Sequence, residues 1–427
     1  MKQTYGRRFA TVLLATTLSG LIAGCSGAAA AEKEPEVTDN TMEEAVVEEV
    51  IEPTQAKASF ITTSLETMTS DGVIDTSDLF TERDLTQEAD LVGATYVSLT
   101  SGKDVTINDE GVYVLSGTAE DVTVIVDADA QKVQLVLDGA SISNADFPAI
   151  YVKSADKVFI TTTEGSENTL AVTDTFVADG ETNTDAVIFS KDDLVLNGLG
   201  TLTINSSDNG ITSKDDLKIT GGTYVINCVS DAIEANDSIR IADGSVTIAS
   251  QKDGLHAEND EDDTLGYIYI CGGSFDIDAG SDAIQGTTYV QIDGGSFTLD
   301  SGEAIEATYV QVNGGDITIS AWDDGINATY KSSSVGDPVL EIRGGNVSIT
   351  MAQGDTDALD SNGYLYVSGG TIDIWAQFAF DFDYGSDFSG GTIYVNGEQV
   401  YEIAESMMGG MGGFGMGGPG MGGGPGW

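Results

Sequence analysis

A repeat of about 21 residues constrains the fold of this chain more than any other feature of its sequence. Residues 282–301 read DAIQGTTYVQIDGGSFTLDS, and from residue 303 the pattern starts again as EAIEATYVQVNGGDITIS. Each copy holds a short corner element, an alternating run that ends at Gly-Gly, and a second alternating run. So small a unit has an apolar face without a partner, and it folds only by stacking on further copies.

The alternating runs predict β-strands that stack into a solenoid. Val290 and Ile292 before the glycine pair, and Phe297 and Leu299 after it, place apolar side chains at every second position, which indicates one buried face. The sequence therefore predicts an all-β fold, a single-stranded right-handed parallel β-helix with about 21–22 residues per rung. Its hand follows the crossover rule for parallel strands. A propeller, the competing all-β architecture, needs repeats of roughly 40 residues or more.

The two ends of the chain differ from the repeat in composition. Residues 1–24 join a basic start to an apolar core, as export signals do, and the run LIAGC places Cys25 where a bacterial lipoprotein is cleaved and lipidated. An ordinary signal peptide with an incidental cysteine is the alternative. We predict a disordered acidic tether over residues 25–90, the β-helix over 91–405 and a disordered Gly/Met-rich tail over 406–427. The predicted location is the extracellular face of the cell membrane, with the lipid as the only membrane contact.

The chain is strongly acidic, with 70 Asp and Glu residues, 17 Lys and Arg residues and a formal charge of −53. This charge excludes nucleic acid as a partner, because binding to phosphates needs a basic surface. It also destabilises the compact state by self-repulsion unless cations bind. We expect a monomer whose acidic groups attract divalent cations.

Several motifs resemble one known family. They are DGASI at 138–142, PAIYV at 148–152, SKDDL at 190–194, GITSKDDL at 210–217 and the ladder of D-[AG]-I and Gly-Gly elements. Together they resemble the exported bacterial "carbohydrate-binding domain-containing" proteins over roughly residues 95–400. The resemblance implies a polysaccharide-lyase-like right-handed β-helix that holds calcium and binds cellulose and acidic plant polysaccharide without known lyase activity.

Stacking turns the first residues of the corner elements into a column of acids, which are Asp231, Asp253, Asp282, Glu303, Asp324 and Asp357. Carboxylates about 5 Å apart repel by roughly 1 kcal/mol even in water. Calcium (Ca2+) binds oxygen ligands of this kind, although Asp residues that cap their own turns are the alternative. We predict calcium in the rungs where a second acidic cluster follows the corner, with His256 as a surface residue. The predicted ligands are Asp185, Asp192, Asp193, Asp215, Asp216, Asp231, Glu234, Asp237 and Asp253.

Tyrosines and glutamines share outward positions of neighbouring rungs just before the glycine pairs. A flat strip of aromatic faces with amides between them suits a sugar chain, which stacks its C–H face and hydrogen-bonds through its hydroxyls. The β-propensity of tyrosine is the alternative explanation. The predicted carbohydrate-binding residues are Tyr267, Tyr269, Tyr289, Gln291, Tyr309, Gln311, Tyr364 and Tyr366.

The sequence does not favour catalysis. A β-helix lyase needs a basic side chain beside calcium, and the β-domain offers only Arg240 and Arg343 as arginines, with Lys191 and Lys214 next to Asp pairs. We therefore predict a non-catalytic, calcium-dependent lipoprotein that attaches the cell to cellulose, polygalacturonate or both. A calcium-dependent lyase of acidic glycans and a structural scaffold without a sugar ligand are the alternatives.

Overall fold

The computed structural model describes residues 72–354 and 356–404. The predicted signal peptide, the lipidation site Cys25, the tether up to residue 71 and the tail at 406–427 lie outside these residues. No helix in the described part of the chain is long and apolar enough to cross a membrane.

The described residues form a parallel β-solenoid without helices. From Ile150–Ser154 to Thr371–Trp375, each strand that has a successor in its sheet pairs with the strand three positions later in the chain, whereas the first strands pair with the strand two positions later. We call the three resulting surfaces face 1, face 2 and face 3. Face 1 precedes the glycine pairs and face 2 follows them, while face 3 carries the corner elements. The all-β, repeat-built, parallel fold predicted from the sequence is confirmed.

Faces 1 and 2 merge into one 24-stranded sheet because two long strands, Gly111–Glu120 and Lys132–Asn144, bend from one face to the other. Face 1 consists of Thr95–Ser98, Lys157–Thr162, Asp193–Gly198, Asp216–Ile219, Ser238–Ile241, Tyr267–Ile270, Tyr289–Ile292, Tyr309–Val312, Val339–Ile342, Tyr364–Val367 and Gly385–Phe388. Face 2 consists of Glu167–Val172, Thr201–Ser206, Thr223–Asn227, Ser245–Ala249, Ser274–Asp278, Ser296–Ser301, Asp316–Ala321, Asn346–Met351, Thr371–Trp375 and Thr392–Val395. The strand Glu398–Val400 pairs antiparallel with the last of these.

Face 3 is a separate 12-stranded parallel sheet. Its strands are Val105–Ile107, Val124–Asp127, Ile150–Ser154, Ala186–Ser190, Asn209–Ser213, Ile233–Ala235, Leu255–Ala257, Asp282–Gly286, Glu303–Ala307, Ile326–Ala328, Asp357–Ser361 and Phe378–Phe382. Because it carries the corner acids at the start of its strands, face 3 positions the candidate metal ligands.

The core is a set of columns in which equivalent apolar residues of successive rungs lie one above the other. Ile305 pairs with Ile284 on one side and Ile326 on the other, and all three are fully buried. On face 2, the rings of Phe275 and Phe297 stack with their centroids 4.7 Å apart. Truncation of one such side chain to alanine costs about 2–5 kcal/mol of unfolding free energy. The predicted inward positions are therefore confirmed.

The glycine pairs make the turn between faces 1 and 2. Gly295 has a φ of 112°, a conformation that side-chain-bearing residues rarely adopt. A Cβ on its neighbour Gly294 would lie 2.8 Å from the carbonyl oxygen of Cys271 in the preceding rung. The rungs thus approach too closely at this turn for any larger residue.

The predicted tether does not extend to residue 90, because residues 72–88 pack along face 1. We call this segment the strap. Its side chains Leu79 and Phe80 are buried against Tyr269 and Ala242, and its carboxylate Asp84 is fully buried. The boundary predicted from composition is wrong for these residues, since their apolar and charged side chains find partners on the solenoid.

Candidate functional site

The strap covers part of the predicted sugar-binding strip. The side chain of Tyr269 is only 1% exposed, and its ring lies 6.4 Å from that of Phe80 in the strap. Its hydroxyl donates a hydrogen bond to the Asp293 carboxylate at 2.9 Å. The Tyr269 ring is therefore a packing surface for the strap, and the prediction that it faces solvent is wrong.

Gln291 and Gln311 are also fully buried beneath the strap. The backbone N–H of Ile74 donates to the side-chain oxygen of Gln291 at 2.9 Å, and that of Val73 donates to Gln311 at 3.1 Å. These amides satisfy the backbone of a segment that forms no strand. The two glutamines hold the strap, and in this arrangement no sugar reaches them, contrary to the prediction.

A buried charge network fixes the strap further along face 1. The carboxylate of Asp84 lies 3.1 Å from the ammonium of Lys218 and 3.7 Å from that of Lys157. Burial alone would raise the pKa of Asp84, but the backbone hydrogen bond from Thr81 and the two lysines outweigh it and hold that pKa below its usual value. Asp84 is thus ionised and serves as the counterion of two solenoid lysines.

Beyond the strap, the same outward surface is open. The rings of Tyr364 and Tyr366 stack 5.7 Å apart at an interplanar angle of 16°, and Tyr384 meets Tyr364 edge-on at 5.5 Å. The hydroxyls of Tyr384 and Tyr330 are 2.7 Å apart, and each of these two residues is 53% exposed. We call Tyr330, Tyr364, Tyr366 and Tyr384 the open tyrosine cluster.

Two members of this cluster, Tyr330 and Tyr384, are not among the residues predicted from the sequence. Tyr330 stands directly before the insertion at 331–337, and Tyr384 lies in the turn between Phe378–Phe382 and Gly385–Phe388. Neither occupies a repeating strand position, so only their proximity to an insertion and to the last rungs could have indicated them.

The remaining predicted tyrosines are half-buried. The rings of Tyr289 and Tyr309 lie 6.2 Å apart with a 40° tilt, and the Tyr309 hydroxyl donates to Glu341 at 2.9 Å. Tyr267 lies 5.3 Å from the guanidinium of Arg240. None of the three is as exposed as Tyr330 and Tyr384 of the tyrosine cluster.

The corner acids of face 3 cap the backbone of the next rung. Oδ1 of Asp231 accepts a hydrogen bond from the backbone N–H of Asp253 at 3.0 Å, and Oδ1 of Asp253 accepts one from Asp282 at 3.0 Å. His256 lies against both carboxylates and has a side chain only 17% exposed, so its prediction as a surface residue is wrong. These acids and His256 form one of two groups in the described residues whose donor atoms come close enough to share a metal ion.

Four other predicted ligands lie where two face 1 strands begin. Asp193 and Asp216 are the first residues of these strands, and Asp192 and Asp215 directly precede them. The Asp193 carboxylate is 3.3 Å from Lys157, and both oxygens of Asp216 accept hydrogen bonds from Arg240 at 2.7 Å. Asp192 accepts a hydrogen bond from the backbone N–H of Ala155 at 3.0 Å. The fourth is Asp215, whose pKa rises to about 7 through burial and the negative charges of neighbouring Asp side chains. Asp215 also accepts a hydrogen bond from the backbone N–H of Asp216 at 3.1 Å, so each of the four carboxylates already has a protein partner.

Asp185, Glu234 and Asp237 are the last of the nine predicted ligands. The strand register pairs Ala186, and not Asp185, with the corner residue Asn209 of the next rung. Burial and then the charge of Glu234 raise the pKa of Asp185 to about 6, while Glu234 itself lies 3.0 Å from the ammonium of Lys214. Asp237 accepts a hydrogen bond from Asn259 at 2.7 Å. The nine residues therefore form several small groups and not one site.

A second carboxylate group lies two rungs beyond the group of Asp231, Asp253 and His256, and it includes Glu306, which is not among the predicted ligands. The carboxylate oxygens of Asp282, Glu303 and Glu306 lie within 4.8 Å of one another. Burial, followed by the charges of neighbouring acids, raises the pKa values of Asp282 and Glu303 to about 8. Glu306 was missed because it occupies the outward position of the strand, where the repeat has no fixed residue type.

Comparison with known proteins identifies the family. Residues 101–358 of the 427 match the family described as "Carbohydrate-binding domain-containing protein", and the chain belongs to it. A protein of that description from Acetivibrio thermocellus is 39% identical over 126 residues, which cover 29% of this chain and 44% of the relative. The chain thus spans less than half the length of this relative. Among solved structures, the chain is similar to the polysaccharide lyase-like protein from C. thermocellum (gadolinium derivative), with 32% identity over 52% of this chain and 92% of that one and a TM-score of 0.45.

Proposed function

We propose that this protein is a non-catalytic module that binds polysaccharide through the open tyrosine cluster. The observation that carries the proposal is the exposure of Tyr330 and Tyr384 beside the stacked pair Tyr364 and Tyr366. Aromatic rings with a polar hydroxyl offer an apolar face and a hydrogen-bonding tip, which is the combination that a pyranose ring needs. A right-handed, single-stranded solenoid would hold these rings on rigid strands, and lipidated Cys25 would anchor the module outside the cell.

Cellulose fits this surface best because it is uncharged. A chain with a formal charge of −53 repels polygalacturonate, so binding of that polymer needs a bridging cation. We propose calcium for this role and for screening the acidic corners of face 3. Burial and the charges of neighbouring Asp side chains raise the pKa of Asp215 to about 7, and a bound cation would relieve the same repulsion.

The surroundings of three of the four candidate basic side chains favour binding over catalysis. Arg240 is engaged by both oxygens of Asp216, Arg343 donates to Glu341 at 2.8 Å, and Lys214 is paired with Glu234. A lyase base must be free to take a proton from the sugar ring. These three cations are committed to carboxylates, whereas Lys191, the fourth basic candidate, lies over the ring of Tyr151, 5.9 Å from its centroid.

Retention on insoluble polymers tests the proposal. Wild-type protein is expected to bind cellulose with or without chelator, and polygalacturonate only with calcium. The double variant Tyr364→Ala/Tyr384→Ala is expected to lose binding to cellulose, while Tyr96→Ala is the matched control, because Tyr96 is 69% exposed at the opposite end of the solenoid. Equal retention of the two variants would refute the assigned surface, and ultraviolet absorbance from an unsaturated product would establish a lyase.

The anchor is tested separately. Metabolic labelling with a fatty acid should mark wild-type protein, and Cys25→Ser should abolish the label and release the protein into the medium. A labelled Cys25→Ser protein would contradict this part of the proposal.

A further inference from the structure

The group formed by Asp231, Asp253 and His256 differs from every other acidic corner of the solenoid, since His256 is the only histidine in the chain. Both aspartates are only 7% exposed. Each uses Oδ1 to cap a backbone N–H of the next rung and directs Oδ2 towards the imidazole. Because Oδ1 of each aspartate accepts the backbone hydrogen bond, Oδ2 remains available for a ligand.

The imidazole meets these oxygens at distances too long for hydrogen bonds. Nδ1 of His256 lies 3.7 Å from Oδ2 of Asp231 and 3.6 Å from Oδ2 of Asp253. This nitrogen is buried and has no hydrogen-bond partner. A buried nitrogen without a partner is costly, so its position between two carboxylate oxygens calls for something that binds all three atoms.

We propose that Nδ1 of His256 and the Oδ2 atoms of Asp231 and Asp253 bind a divalent transition-metal ion, with zinc as the best fit. In a tetrahedral zinc site with bonds of about 2.0–2.2 Å, donor atoms lie roughly 3.3–3.6 Å apart. The two nitrogen–oxygen separations found here, 3.6 and 3.7 Å, are close to this range. Nε2 lies 3.3 Å from Glu258, which would orient the ring from behind as carboxylates do for metal-bound histidines.

The nitrogen donor separates this site from the calcium sites proposed above. Calcium takes oxygen ligands, whereas imidazole favours zinc and its neighbours in the transition series. At the same strand position the adjacent rungs carry Glu234 and Gln285, which offer oxygen. The inference refines the ion at Asp231 and Asp253, so it rests on the proposed metal-holding role of these two residues but not on glycan binding.

The single histidine permits a direct test on untagged protein with isotope-labelled histidine, in which every imidazole nitrogen signal belongs to His256. Zinc is expected to move the Nδ1 signal to a metal-bound position and to leave Nε2 protonated, while calcium leaves both signals in place. If both nitrogens stay protonated in the presence of zinc, the ring is only an ion-pair partner of the two aspartates and the inference is overturned.

Equivalent positions of other rungs supply the replacement residues for the test variants. His256→Gln copies Gln285 at the same position of the next rung, and Asp231→Asn copies the corner residue Asn209, so both should fold. Each is expected to weaken zinc binding, measured by calorimetry, more than Glu258→Gln, whose orienting role predicts a loss of about 10- to 100-fold.

Asp360→Asn, at the strand position of face 3 equivalent to that of His256 in a later rung, is the control that should bind zinc normally. If Asp231→Asn lowers calcium affinity while His256→Gln leaves zinc affinity unchanged, the calcium proposal survives and the transition-metal site is refuted. If neither ion binds wild-type protein, both proposals fail.

Discussion

One outward column of face 1 has two halves that look alike in sequence and differ in the folded chain. Tyr269, Gln291 and Gln311 lie beneath the strap, whereas Tyr366, at an equivalent position further along, belongs to the open tyrosine cluster. Because side chains alternate between the two sides of a strand, the repeat directs all four of these side chains outwards. Whether they are available to a ligand depends on a segment that is not part of the repeat.

This difference shows that alternation predicts direction and not exposure. A strand residue that points away from the core becomes a second buried surface when another segment packs on it. The covered half then stabilises the protein, and the open half remains for recognition. The following predictions test this division of roles.

Loss of the Asp84 carboxylate should have the largest effect. Asp84→Ala leaves Lys218 buried and without its counterion next to Lys157, and removal of one partner of a buried ion pair costs about 3–5 kcal/mol. Denaturant unfolding measures this loss. Asp156→Ala, which breaks an exposed pair with Lys132, is the control and should cost less than about 1 kcal/mol. Equal losses would mean that the strap is not held by charge.

Truncation of Phe80 should have a somewhat smaller effect on stability and a clear effect on the covered half. Phe80→Ala removes the ring that packs on Tyr269, at a cost of about 3 kcal/mol in a well-packed contact. The Tyr269 ring should then become accessible to a tyrosine-modifying reagent. If it stays protected, other strap residues suffice to cover it.

The corner acids allow a second comparison, between Asp231 and the pair Asp282 and Glu303, because their opposite pKa shifts make the stability of the protein depend on pH. Burial raises the pKa of Asp231, but its contact with His256 outweighs burial and lowers that pKa below its usual value. The pKa values of Asp282 and Glu303 instead rise to about 8 from the ordinary values of 3.8 and 4.5. The folded state therefore keeps protons that the unfolded state releases, so stability should fall as pH rises from about 4 to about 8. Melting in chelator at several pH values measures this.

The same experiment has an internal control. Glu306→Gln removes one of the charges that raise these pKa values, so its melting temperature should depend less on pH than that of the wild type. A melting temperature that rises between pH 5 and 8 in the absence of divalent cations would contradict the assignment.

The smallest effect is expected at a single strap hydrogen bond. Gln291→Leu removes the acceptor for the backbone N–H of Ile74 and should cost about 1 kcal/mol. Thr298→Val, at an outward position of face 2 outside the strap, is the control. An unchanged unfolding free energy in Gln291→Leu would mean that water replaces the amide.

The sequence predicts the solenoid well because its period is local and repeated. Val290 and Ile292 lie inside as the alternation requires, and Glu303 follows Asp282 after one rung of 21 residues in the strand register. The strap could not be predicted in this way. Its residues carry no repeat, and their partners, such as Lys218 for Asp84, lie more than 100 positions away in the chain.

The candidate sites were predictable only in part. The corner acids are visible as a column, but the pairing of Asp231 and Asp253 with His256 depends on side-chain directions that the sequence does not specify. The open tyrosine cluster was half predicted, since Tyr364 and Tyr366 occupy strand positions while Tyr330 and Tyr384 come from irregular segments. Repetition thus reveals the scaffold, and insertions and termini decide which parts of it are accessible.

Site-resolved chemical modification of tyrosine, with and without a soluble β-glucan, tests the central claim most directly. Nitration followed by peptide mass spectrometry should show that the glucan protects Tyr330 and Tyr384, while Tyr96 and Tyr401, exposed outside the cluster, react equally in both conditions. Tyr269 should remain unmodified throughout because the strap covers it. Protection of Tyr96 or Tyr401, or none at Tyr330 and Tyr384, would contradict the proposal that the open tyrosine cluster binds the polysaccharide.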